Sequence, residues 1–335
     1  MHNRMWSDDN VYAKQNGGKY DFIVEPQAPR GSGKSGPGES GLSIPNDQAL
    51  WDDLMSNKTE NEIPLVVYEQ DWMYNEWQGL NITQQSPTMG RDWLMQMGAG
   101  AAKSNVSIQY CMTFARMVLQ TAEIPAVTTF RASDDYGPGQ TGYYPRQKNE
   151  SLPPTDGSKG CGFPYCVYYV GTTSILAWGM NLGPSKDNYW SKPLQPGSAF
   201  NRDKDPWHPS TLNATHEPYN EMQSAISSYT TAQVAPSDGV GNSNASLIKM
   251  ACRSDGYLLQ PSAPARAIDA SFALEGNPEP HVDNVHAIMA THTEIGEMKW
   301  GHILVIGLNK SFSLTPEHII GEITNGAVYA VFVSF

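Results

Sequence analysis

Two stretches of the chain end apolar runs in carboxylates. Pro64 to Trp72 (PLVVYEQDW) is rich in β-branched and apolar residues up to Asp71, and reads as a buried strand of a parallel sheet. Pro125 to Tyr136 (PAVTTFRASDDY) repeats the construction and ends in Asp134 and Asp135, with Arg131 just before them. An acid at the C-terminal end of such a strand lies on the face where the loops of a (β/α) barrel gather, which makes it a catalytic candidate. A strand-terminal Asp can equally cap a following helix. Thr231 to Pro236 (TAQVAP) is a third strand-like run, and it leads into Ser237 and Asp238.

The elements between these acids have the rhythm that a parallel sheet requires. A helix over Arg91 to Lys103, a strand over Val106 to Cys111 and a helix over Phe114 to Thr121 separate the Asp71 strand from the Asp135 strand. Upstream, Met1 to Gly18 is polar, Lys19 to Glu25 (KYDFIVE) is the first expected strand, and Pro26 to Asn46 is a Gly, Pro and Ser-rich loop. The GSGKS in that loop is no phosphate cradle. Position 28 is Ala28, where the motif needs glycine, and Pro37 with Gly38 forbids the helix whose N-terminus would hold the phosphate. Asp47 to Ser56 is expected as a helix capped by Asn46.

Downstream of Asp135 a long Gly, Pro and Tyr-rich stretch leads to the apolar segment Cys166 to Leu182. Gly183 to Trp190 (GPSKDNYW) mixes aromatic and polar residues of the kind that stack on sugar rings and bind hydroxyls. Glu217 to Ser228 reads as a helix. Beyond Ala251 the chain turns to short runs with turn residues between them, the pattern of an all-β domain beginning near Asp255.

Composition narrows the function classes. The chain has 335 residues, 39% of them hydrophobic, enough for a large core, and its formal charge of −12 argues against nucleic acid as a partner. No apolar run reaches the roughly 18 residues of a membrane-spanning helix. Seven N-x-S/T sequons, at Asn57, Asn81, Asn105, Asn149, Asn213, Asn244 and Asn309, point to secretion and N-glycosylation. Cys161 and Cys166 are close enough for a small disulfide loop, whereas Cys111 on a buried strand and Cys252 in an expected helix are either paired or free. There is no C-x-x-C pair, and His281, His286 and His292 fit no metal-ligand spacing, so neither a metal nor another cofactor is expected.

Taken in order, YEQD (Tyr68 to Asp71), RASDD (Arg131 to Asp135) and VAPSDGVG (Val234 to Gly241), followed by LLQPSAPARAID, resemble the melibiase-type retaining glycosidases, the clan of α-galactosidases and raffinose-synthase-like enzymes. The resemblance implies a (β/α)8-type barrel over residues 1–254 and a sandwich-like β domain over 255–335. It implies Asp71 as nucleophile and Asp135 as general acid/base, with Asp134 as its rival. Arg131, Asp134, Asp238, Trp72 and Glu69 become substrate-binding candidates, and carbohydrate the partner. Asp134 beside Asp135 supplies a reason for one of them to keep its proton. Glu69 stands where the clan has a lysine, which removes a sugar-hydroxyl donor and puts galactose specificity in question. Only about six barrel strands are countable before Asp255. With the apolar run Ala327 to Phe335 at the other end, this leads to the expectation that a missing segment or another chain completes both barrel and β domain.

Overall fold

The computed structural model describes residues 1–26, 41–56, 64–133, 136, 166–196, 217–270, 287–306 and 311–320. The chain divides into two compact units. One comprises Met1–Asp134, Ser151–Gly162 and Leu176–Ser185, and the other Asp135–Glu150, Phe163–Ile175 and Lys186–Phe335. The composition shift near Asp255 lies within the second. The architecture is mixed α/β, with one parallel sheet and two separate antiparallel sheets among the described residues. A complete (β/α)8 barrel is not shown among the described residues.

The first unit is built on the parallel sheet. Its strands are β1 (His2–Asn3), β5 (Val67–Gln70), β6 (Ser107–Tyr110), β7 (Val127–Arg131) and β8 (Gly183–Ser185), adjacent in chain order. The strands that carry Asp71 and Arg131 are therefore where their apolar runs put them. The helices between them are α4 (Met89–Lys103) and α5 (Ala115–Gln120), close to the expected limits, preceded by two short helices not expected from the sequence, α2 (Met73–Gly79) and α3 (Asn81–Gln85). β1 lies in a polar stretch that carries no strand signal. Backbone bonds tie it to β5, with Glu69 N donating to Met1 O at 2.8 Å and Asp71 N to Asn3 O at 2.8 Å, and Asn3 Nδ2 adds a side-chain bond to Gln70 Oε1 at 3.5 Å.

Lys19 to Glu25 does not supply the first strand of this sheet. Phe22–Glu25 (β3) instead pairs antiparallel with Leu42–Pro45 (β4), which also pairs with Trp6–Ser7 (β2). The pairing partner lies across the Gly-rich loop, so local pattern could not reveal it. The following helix α1 (Gln48–Met55) is capped by Asp47, whose carboxylate accepts from Ala49 N at 2.9 Å, one residue later than expected. Trp51, Met55, Trp93, Leu94 and Met97 are fully buried in one core with Tyr68, Ile108 and Tyr110 of the strands.

In the second unit, α7 (Asn220–Tyr229) and α8 (Ala245–Lys249) precede a three-stranded antiparallel sheet, β11–β10–β9, formed by Met298–Ile306, Ala287–Ile295 and Arg266–Ala267. The hairpin between β10 and β11 turns at Gly296, whose φ of 59° is the left-handed conformation that glycine adopts without steric cost. Helix α9 (Pro316–Ile320) packs on this hairpin, with Ile319 in one apolar cluster with Ile288, Ala290 and Ile303. Thr231 to Pro236 is no strand, and makes only a single bridge, between Pro236 and Tyr189. Cys252 lies beyond α8 rather than in a helix, bridged to Leu258. The apolar segment after Cys166 is a helix, α6 (Cys166–Gly179), whose residues from Leu176 onward count with the first unit. Ala327 to Phe335 lies outside the described residues.

Close packing of α4 on α1 generates a test. A Cβ at Gly100 would lie 2.8 Å from the backbone carbonyl of Trp51, which cannot yield without moving α1. A glycine-to-alanine change inside a helix normally stabilises by about 0.5–1 kcal/mol. G100A is expected to reverse that sign and to destabilise by about 1–3 kcal/mol in denaturant unfolding. G179A, with open space around the added methyl, should be neutral or stabilising.

Candidate active site at the carboxyl edge of the parallel sheet

Side chains alternate across a strand, so the sheet register sorts the residues of β5 to β8 into two faces. Tyr68, Gln70, Ile108, Tyr110 and Phe130 are buried, and all but Gln70 belong to the helix-packed core. The opposite face is polar. Glu69 is opposite Gln109, which is opposite Thr129, and Arg131 is opposite Ser185. One residue beyond β5 and β6, Asp71 and Cys111 extend that face at its C-terminal edge. A register shift between β6 and β7 leaves Thr128 without a partner, and so brings Arg131 onto the same face as Asp71 and Cys111.

The central cluster is tight. Oxygens of Glu69 and Asp71 and the sulfur of Cys111 all lie within 4.8 Å of one another. Gln109 Nε2 donates to Glu69 Oε1 at 3.3 Å, and the Cys111 thiol is hydrogen-bonded to Asp71. Asp71 is buried, and also accepts from Trp72 N at 2.7 Å. Burial is the main cause that pushes the Cys111 thiol far up. The Asp71 and Glu69 charges add to the effect and the Arg131 guanidinium opposes it. The thiol is therefore a neutral donor rather than a nucleophile.

Both loops that leave this edge are held in unusual backbone geometry. Trp72 follows Asp71 with φ 57° and Met112 follows Cys111 with φ 51°, left-handed conformations that cost a non-glycine residue about 1–3 kcal/mol. Hydrogen bonds fix the pair: Tyr74 N donates to Met112 O at 2.8 Å and Met73 N to Cys111 O at 3.4 Å. The Arg4 guanidinium lies 5.6 Å from the centre of the Trp72 ring and so fixes its far side.

Glu69, Asp71 and Cys111 form a donor set of the kind that holds a divalent ion, which spacing in the sequence did not reveal. Binding would require the thiol, raised mainly by burial and further by the Asp71 and Glu69 charges, to lose its proton. Hydrogen bonding of the protonated thiol to Asp71 is the state that this environment favours.

Asp134 and Asp135 lie outside the described residues, and with them the carboxyl separation across the expected pair. Asp238 belongs to the second unit, where its carboxylate accepts from Ser191 N at 2.8 Å, from the Ser191 hydroxyl and from Gln195 Nε2 at 2.6 Å. Tyr189 and Trp190, expected to offer faces to a sugar, are buried in an aromatic cluster with Tyr136. Of the sequons, Asn81 and Asn105 are exposed and Asn244 is half-buried as the N-cap of α8. Asn57, Asn149, Asn213 and Asn309 lie outside the described residues, as do His281, His286, Cys161 and the side chain of Cys166. Cys111 and Cys252 are free thiols.

Sequence reasoning missed a second polar constellation, in the second unit. Lys186 is buried, donates to Asn188 O at 2.9 Å, and sits 4.9 Å from the centre of the Tyr136 ring. Burial depresses its ammonium to about 8, against the opposing pull of the Asp187 and Glu217 charges. Tyr136 Oη donates to the buried Glu217 at 2.7 Å, and Tyr136 N to Asp187 Oδ2 at 2.6 Å. The K-D pair in GPSKDNYW was the only visible signal, because Glu217 and Tyr136 are distant in sequence.

Two outcomes follow from these environments. With a maleimide or iodoacetamide label read by mass spectrometry under native conditions, Cys252 is expected to react and Cys111 to stay unmodified until the protein is unfolded. D238A, which strands two donors of Ser191 and one of Gln195, should lower unfolding stability by about 1–3 kcal/mol.

No protein-family profile matches this chain, and no curated protein matches it.

Proposed function

We propose that the chain is a secreted, N-glycosylated protein of the glycoside hydrolase type that cleaves α-linked glycans by a retaining, two-carboxylate mechanism. Asp71 is the nucleophile that attacks the anomeric carbon. Asp135 protonates the leaving oxygen and then takes the proton of the attacking water. The observation that carries this reading is the position of Asp71. It stands at the carboxyl edge of parallel strands, on a face furnished with Glu69, Gln109, Cys111 and Arg131 rather than with core residues. Such a face offers both donors and acceptors to hydroxyl groups. Strands adjacent in chain order, with no reversal of direction across the sheet, are the pattern of a barrel wall and support the (β/α)8 reading. Asp71 and Asp135 follow strands two apart in that order, β5 and β7. Arg131, Trp72, Glu69 and Asp134 are the substrate-binding residues of this proposal; Asp238 lies in the second unit, bonded to Ser191 and Gln195.

A second reading has its own observation. Glu69 places a carboxylate beside Asp71 where the clan has a cation, and a crowded pair of acids suits ligand hydroxyls without turnover. On that reading the protein binds carbohydrate and does no chemistry.

The test is a panel of activated aryl α-glycosides together with a mechanism-based fluoroglycosyl label. Turnover lost by at least about a thousandfold in D71N, with the label recovered on the peptide that carries Asp71, is the expected result. Glycan binding with neither turnover nor labelling selects the second reading. Absence of all three overturns both. Glycans are expected on Asn81 and Asn105 when the protein is made in its native source, and peptide mass spectrometry checks this.

A further inference from the structure

The helix that follows Asp71 buries a carboxyl group that the reaction does not use. Glu76 lies in α2 at 0% exposure; its Oε2 accepts from Trp6 N at 3.3 Å and its Oε1 has no hydrogen-bond partner. One hydrogen bond leaves a carboxylate far short of the several that its lone pairs require, whereas a neutral acid tolerates it. Burial accordingly drives this group well above the ordinary carboxylate range, and the bond from Trp6 opposes that only in part.

What Glu76 grips is the segment that runs beside Asp71. Asn3 O accepts from Asp71 N at 2.8 Å, Arg4 O from Gln70 Nε2 at 2.8 Å, and the Arg4 guanidinium lies over Trp72. Trp6 closes the segment, with its ring edge-on to Trp51 and Phe22. Four consecutive residues thus lie along the end of β5 and the first turn of α2, and Glu76 meets the last of them.

We propose that Glu76 is a proton-controlled latch that holds the Asn3–Trp6 segment against the strand end carrying Asp71. The proposal does not depend on the catalytic reading. Few charged groups compete with the latch proton. The β2, β4 and α3 segments next to α2 (WS, LSIP and NITQQ) carry no titratable side chain. From β5 only the Tyr68 phenol faces Glu76, and burial holds that phenol in its protonated form. Arg4 is exposed and directed at Trp72.

The direction of the pH dependence follows from linkage. In the released state Glu76 is hydrated and has an ordinary acidity, so the latched state binds the proton more tightly. The latch is complete below the ordinary carboxylate range and weakens as pH rises from there toward the raised value, by up to about tenfold per pH unit.

Amide hydrogen exchange of residues 3–7 and of Asp71, corrected for intrinsic exchange, reads this directly. Wild-type protection should fall by about tenfold per pH unit in the window above the ordinary carboxylate range. E76Q, which keeps an acceptor for Trp6 and cannot ionise, should hold its protection constant across the same window. An infrared band of a neutral carboxylic acid, present in the wild type at neutral pH and absent in E76Q, is the companion measurement. Should E76Q fail to fold, the wild-type exchange profile and its infrared band still decide the matter. Protection that does not vary with pH in the wild type, or a parallel decline in E76Q, overturns the proposal.

Discussion

The sidedness of the parallel sheet is the constraint on which the first unit depends. Tyr68, Ile108, Tyr110 and Phe130 must leave water, and α1 and α4 cover them with Trp51, Trp93, Leu94 and Met97. Burying one or two such side chains fully is worth several kcal/mol, far more than any single polar contact at the sheet edge. Once that face is committed to the helices, strand alternation sends Glu69, Asp71, Gln109, Cys111 and Arg131 to the other side. A slip of one residue in β5 would bury the acids under the helices. The polar cluster is therefore a consequence of the core, and inherits its rigidity.

The same constraint explains the chemistry of the cluster. Asp71 is buried at the strand end, and its bonds to Trp72 N and the Cys111 thiol stand in for the water it has lost. The thiol is kept neutral by the same desolvation, so it serves Asp71 as a donor and is a poor nucleophile itself. The left-handed residues Trp72 and Met112 store backbone strain directly after the two strands that meet in the cluster, and cross-loop hydrogen bonds hold them there. On the N-terminal side the Asn3–Trp6 segment adds a backbone edge whose far end rests on Glu76. Acids with two different fates, one hydrogen-bonded at the edge and one enclosed in the core, flank the same turn.

The second unit solves a similar problem differently. Its polar groups are enclosed with aromatic rings: Tyr136 bonds Glu217, Lys186 lies over the Tyr136 ring, and Asp238 is saturated by Ser191 and Gln195. Charged groups retained in so apolar a setting need such complete pairing, because a lone ion there would cost several kcal/mol.

What the sequence determined by itself is the position of the elements whose apolar residues run contiguously along the chain. The runs around Asp71, Cys111 and Arg131 and the helix ending at Lys103 were legible as elements, whereas which of their residues are buried was not, since Val66 and Val67 ahead of Tyr68 are exposed. What only the tertiary structure decided is everything that rests on pairing between distant segments. β1 has no apolar run because backbone bonds to β5 hold it, and β3 joins β4 rather than the parallel sheet because its partner lies across a loop. Neither the proximity of Cys111 to Asp71 nor the enclosure of Glu76 by Trp6 leaves a trace in local pattern. Both arise where strand register and helix packing bring together residues dozens of positions apart, and periodicity encodes only which face a residue takes, never which residue it will meet.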